Sequence, residues 1–74
     1  MIKVGQIYKY TTKPRLRFVI TQSYDYKTRF DYIHNDGVTY GHVWENDVLY
    51  KIKLVAEYPT WQEAVNSKEF NNDR

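Results

Sequence analysis

The chain has no cysteine. No disulfide can staple it, and no thiolate can serve as a nucleophile. Small secreted domains commonly need such staples, so a reducing intracellular setting is expected. Long apolar runs are missing too: none is long enough to cross a bilayer, and the N-terminus has no signal-peptide core. Residues 2–8 alternate polar and apolar instead, and Met1 leads straight into a strand pattern, as expected of a complete small gene product. Glycine and proline are scarce, at three and two. Three scattered glycines build no phosphate-cradling loop. The serines are Ser23 and Ser67, and neither sits in the Gly-x-Ser-x-Gly turn that exposes a nucleophile. Neighbouring acids such as Glu45 and Asp47 read as a solvated turn. No catalytic residue is assigned, and the chain is expected to act by binding.

What is abundant is aromatic: eight tyrosines, three phenylalanines and two tryptophans make up 18% of 74 residues. A chain this short holds one domain and hides only about 60% of the surface its unfolded form exposes. Lys, Asn, Ile, Tyr and Phe supply 28 of the 74 residues. Their codons are A/T-rich, which points to an A/T-rich genome such as those of many Gram-positive bacteria and their phages. Net charge is +2, unevenly spread. Residues 1–35 carry Lys3, Lys9, Lys13, Arg15, Arg17, Lys27 and Arg29 against Asp25 and Asp31, giving +5. Residues 36–74 carry Lys51, Lys53, Lys68 and Arg74 against Asp36, Glu45, Asp47, Glu57, Glu63, Glu69 and Asp73, giving −3. Such asymmetry produces one basic and one acidic face unless the fold interleaves the halves.

Alternation predicts five strands, at about 4–11, 16–22, 28–34, 38–44 and 48–55. In the second, Leu16, Phe18 and Ile20 share one face and Arg17, Val19 and Thr21 the other. Thr28, Phe30, Tyr32 and His34 line up in the third. Gly5 inside the first strand predicts a bulge or a close backbone approach. Pro14 cannot join a central ladder. Asp36-Gly37 between two alternating runs has the chemistry of a tight hairpin. After Tyr58-Pro59 the period changes. Thr60-x-x-Glu63 has capping-box spacing, and Trp61, Ala64 and Val65 share one helical face, so a short helix over about 61–69 is expected. Residues 70–74 read as a frayed tail. The expected fold is a small five-stranded antiparallel SH3-like barrel or curled sheet with a short C-terminal helix, one domain over 1–74. Gly5-x-Ile7-Tyr8 followed by Phe18-Val19-Ile20 resembles the first hairpin of many SH3-like barrels.

Three constellations carry chemistry. His34 and His42 have the same strand parity, with Asp36 between them. If they met across the ladder they could hold zinc, but ordinary hairpin residues are the stronger reading, and no metal or cofactor is expected. The basic half interleaves Lys9, Lys13, Arg15, Arg17, Lys27 and Arg29 with tyrosine and phenylalanine, a pattern that suits stacked bases and followed phosphates. Strand-forming aromatics with a cationic rim explain the same pattern more plainly. The acidic half offers Asp36, Glu45, Asp47, Glu57, Glu63 and Glu69 beside Trp44 and Tyr58. Carboxylates with aromatic anchors can meet a protein groove built for DNA phosphates.

The segment Tyr58-Pro59-Thr60-Trp61-Gln62-Glu63-Ala64, with the size and residue usage, resembles the small early proteins of phages that infect Gram-positive bacteria. That resemblance implies a protein in the cytoplasm of an infected host that binds and disables a host machine. Among such proteins are dimeric inhibitors that plug the basic DNA channel of the DNA polymerase sliding clamp. The implied function is inhibition of a host replication or nucleic-acid protein, with the clamp as first candidate and a homodimer as the acting form. The alternative reading is a nucleic-acid-binding SH3-like module, and a third class is a structural phage component. No membrane partner is expected.

Overall fold

A computed structural model of the chain describes residues 2–24, 29–37 and 39–71, and of residues 39–42 the backbone only. Five strands, β1 (Gln6–Tyr10), β2 (Arg17–Ser23), β3 (Arg29–His34), β4 (Thr39–Trp44) and β5 (Ile52–Glu57), form one antiparallel sheet in the order β4-β3-β2-β1-β5. The first four meander, and β5 returns to pair with β1. The ladders β1–β5, β2–β3 and β3–β4 each shift register once. Each shift bends its strand and adds twist, which curls the sheet.

The curled sheet stays open, so the closed barrel gives way to the other expected form: β4 and β5 are edges that do not pair with each other. A helical turn, α1 (Glu45–Val48), and a 3₁₀ turn (Leu49–Lys51) connect them. This link leaves β4 beside the start of β3 and enters β5 beside the end of β1. It must therefore cross the concave face, where closure would need the two edges to meet. The segment 48–55, which alternates like one strand, divides for the same reason. Val48 turns inward to plug the core and β5 begins only at Ile52.

The two faces of the sheet hold separate cores. On the concave face Ile2, Tyr8, Phe18, Ile20, Phe30, Tyr32 and Val48 are buried together. Phe18 is the hub, with ring centroids 5.7 Å from Tyr8, 5.4 Å from Tyr10 and 4.7 Å from Tyr32. Offset and tilted rings at such separations add to the gain from burial itself. On the other face Ile7 and Val19 pack beneath two short helices, α2 (Trp61–Val65) and α3 (Lys68–Asn71), through Ala64 and Phe70. The period-two pattern of β2 places Phe18 and Ile20 in one core and Val19 in the other.

The C-terminal helix is two pieces. Thr60 caps α2, its Oγ1 accepting the Glu63 N–H at 3.2 Å while its hydroxyl donates to the Glu63 carboxylate at 3.0 Å. Ser67 then interrupts the run: its hydroxyl donates to the Ala64 carbonyl and its Oγ accepts the Phe70 N–H. This chain reversal turns Phe70 onto the sheet, where it is buried, so residue 70 belongs to the core and not to a frayed tail. The other strand bounds lie within two residues of expectation. The hairpin after β3 is wider than an Asp-Gly pair. A turn closes from His34 O to Gly37 N, and the ladder resumes at Ile33↔Thr39.

Candidate nucleic-acid interface

Register brings three cations into line. Lys9 on β1 stands opposite Arg17 on β2 and opposite Lys53 on β5. Directly paired residues of an antiparallel ladder project from the same face, about 5 Å apart at Cβ. Lys9 lies two residues beyond Ile7, and Arg17 two residues before Val19, so the row runs along the helix-covered face past its core. Like charges so placed repel each other, and an anion laid across them relieves the repulsion.

The adjoining turn adds to the row. Residues 11–16 join β1 to β2, with Lys13 and Arg15 exposed. Asn35, buried at the end of β3, fixes this turn. Its Nδ2 donates to the Arg15 carbonyl at 3.0 Å and toward the Phe70 carbonyl at 3.4 Å, while its N–H meets the Arg17 carbonyl at 2.9 Å. On the far side the Thr11 N–H donates to the Lys51 carbonyl at 3.0 Å, which sets Lys51 beside the same turn. Lys9, Lys13, Arg15, Arg17, Lys51 and Lys53 thus share one end of the sheet. Among the described residues two carboxylates lie there as well. Asp36 follows the buried pair His34 and Asn35, and Glu69 accepts a hydrogen bond from the Tyr58 hydroxyl. That bond holds the Glu69 carboxyl below its ordinary pKa and the Tyr58 hydroxyl above its own. Arg17 is also a structural tie, donating to the Glu69 and Pro14 carbonyls.

Compared with family models, curated proteins and solved structures, the chain matches none.

The structure sorts the expected residues differently from the sequence halves. Of the basic set, Lys9, Lys13, Arg15 and Arg17 gather. Arg29 lies at the opposite end, its guanidinium 5.3 Å from the Trp44 ring centroid and 6.0 Å from that of Tyr24. Lys27 lies outside the described residues. Lys51 and Lys53 come from the acidic half and were missed, because only the β1–β5 register reveals them. Of the acidic set, Glu45 and Asp47 sit in α1 directly after Trp44. Glu45 and Glu57 both lie close enough to Tyr8 to raise its hydroxyl pKa, with burial the larger cause. Asp36 and Glu69 belong to the basic end instead. Glu63 is bonded to Thr60 at the start of α2, and Tyr58 is half-buried against the outer core.

The zinc trio lies partly outside the described side chains, since His42 is among those not described. His34 points inward: its Nε2 is 3.1 Å from the Tyr10 hydroxyl, with the Phe18 and Tyr32 rings at its flanks. Among the described residues no three histidine or carboxylate side chains gather as a metal site, and no helix is long and apolar enough to cross a membrane.

Proposed function

We propose that this chain is a non-catalytic binding protein whose ligand is a nucleic-acid backbone, held at the basic end of the sheet. The observation that carries this reading is the cross-strand row Lys53–Lys9–Arg17, extended by Lys13, Arg15 and Lys51. Adjacent strands stand about 4.8 Å apart, so the row is roughly 10 Å wide. A phosphate chain laid along it releases its condensed counterions, and binding must weaken with salt. Fluorescence anisotropy with labelled oligonucleotides between 50 and 200 mM salt tests this. Lys9→Ala or Lys53→Ala is expected to weaken binding uniformly across sequences and to reduce the log–log salt slope by about one each. Absence of salt-sensitive binding at 50 mM removes the reading.

A second reading has its own observation at the other end of the sheet. Trp44 is 51% exposed and runs into Glu45 and Asp47, and Glu45 and Glu57 both act on the Tyr8 hydroxyl. An exposed tryptophan that leads directly into two carboxylates suits the basic groove of a partner protein. On this reading the chain is a phage-type inhibitor acting in the host cytoplasm on a replication or nucleic-acid protein. The sliding clamp is the first candidate, engaged by a monomer or a homodimer. Capture from host lysate by wild type, but not by Trp44→Ala, followed by identification of a replication protein, is the expected result. Equal capture by both removes Trp44 from the reading.

A further inference from the structure

We propose that the nucleic acid held at the basic end is a single strand, and that Tyr50 is the platform on which one of its bases stacks. This rests on the backbone-binding reading above and adds the class of ligand to it. Tyr50 is 79% exposed, the most of any large apolar or aromatic side chain among the described residues. A tyrosine this exposed contributes little burial to the fold, and it offers its ring to a ligand. The 3₁₀ turn that carries it is held at its C-terminal end, where the Lys51 carbonyl accepts the Thr11 N–H and Ile52 pairs with Tyr10, and Val48, just before it, is buried in the core. The ring therefore stands on fixed backbone at the edge of the cation cluster. Lys51 Nζ lies 5.9 Å from the ring centroid, so the aromatic surface and a phosphate-seeking ammonium are side by side. Lys53 begins the row three residues on, at most about 10 Å along the chain.

Those parts match what a single strand needs, a π-face for the base and cations for the adjoining phosphates. A duplex keeps its base faces stacked inside and presents only backbone and groove edges, so it draws on the row and not on the ring. Among the described residues Trp44 is the other exposed aromatic; Arg29 lies 5.3 Å from its ring centroid, but this pair stands at the opposite end from the cation row, and Glu45 and Asp47 follow Trp44 directly. It serves as the control.

The test measures anisotropy with a labelled single-stranded oligothymidine, a duplex of equal length, and inorganic polyphosphate as a polyanion without bases. Wild type is expected to bind the single strand most tightly. Tyr50→Ala is expected to lose roughly 5- to 100-fold for the single strand with no change toward polyphosphate. Tyr50→Phe keeps the affinity, and Trp44→Ala leaves it alone. Thermal melts of each variant establish that the fold persists. A duplex bound as tightly as the single strand, or a Tyr50→Ala protein that binds the single strand as well as wild type, overturns the inference while leaving backbone binding in place. If none of the three ligands binds at 50 mM salt, both fall together. Loss of lysate capture with Trp44→Ala and no oligonucleotide binding favours a protein ligand instead.

Discussion

Gly5 and Gly37 both hold positive φ, 93° and 91°, yet they are not equivalent. A Cβ added at Gly37 meets nothing within 4 Å, whereas at Gly5 it would fall 2.2 Å from the Tyr58 carbonyl oxygen. Gly37→Ala is expected to cost only the backbone penalty, about 1 kcal/mol. Gly5→Ala adds a backbone collision that no side-chain rotation can relieve, and about 2–4 kcal/mol is expected. Urea denaturation midpoints measure both; equal shifts would remove the role given to the Tyr58 contact. This much was legible in the sequence, since a glycine inside a strand pattern announces a close approach. Its partner was not, because Tyr58 is distant in sequence and the accompanying bulge lies on β5. His34 makes a second case at this scale. Burial holds its imidazole below the ordinary 6.5, against the upward pull of Asp36. Between that lowered value and 6.5 the unfolded chain binds more protons than the folded one. The stability involved is fully present above pH 6.5 and drains away as pH falls through the window. Melting temperature is expected to drop from pH 7.5 to 5.5, and His34→Gln is expected to flatten that slope; an unchanged slope in the variant would assign it elsewhere.

At the scale of elements, strands that keep a strict period of two were legible, whether they feed one core or both, and segments bent by a tertiary demand were not. β3 buries Phe30, Tyr32 and His34 on one face as its pattern requires. Residues 48–51 carry strand-like alternation, but the crossing from one sheet edge to the other needs a compact helical link with Val48 inward. Tertiary geometry overrides local propensity there. The bulge in β5 likewise puts Val55 and Ala56 next to the same core, which no strict alternation allows. Ser67 decides the C-terminal elements. By bonding Ala64 O on one side and Phe70 N on the other, it ends α2 and starts α3. Ser67→Ala is expected to cost about 1 kcal/mol, the usual loss for a helix cap. It should also loosen α3, which supplies both Phe70 and the Glu69 carbonyl that anchors Arg17. Faster amide hydrogen exchange at Phe70, with exchange in β2 unchanged, is the expected signature. Equal acceleration in both would mean that α3 has no local stability to lose.

At the scale of the whole molecule, charge is divided by the ends of the strands and not by the halves of the chain. Counting along the sequence gives a basic first half. The antiparallel return of β5 carries Lys51 and Lys53 out of the acidic half to join Lys9, and the hairpin after β3 carries Asp36 back among the cations. The result is a molecule that spends stability on its own surface. Lys9 faces a like charge on either side, and each such cross-strand pair is unfavourable by a few tenths of a kcal/mol. Lys9→Glu turns both repulsions into attractions. It is expected to raise stability by about 0.5–1 kcal/mol, a gain of several degrees in melting temperature for a domain this small. The same change puts a carboxylate in the middle of the phosphate path and should abolish oligonucleotide binding at 100 mM salt. Stability and binding should thus move in opposite directions on one substitution. A scaffold residue would lower both, and a solvated bystander would move neither. The measurement is a melt and an anisotropy titration on the same preparation. A less stable Lys9→Glu protein would mean that the row is satisfied internally, and that its alignment across three strands serves the fold and not a ligand.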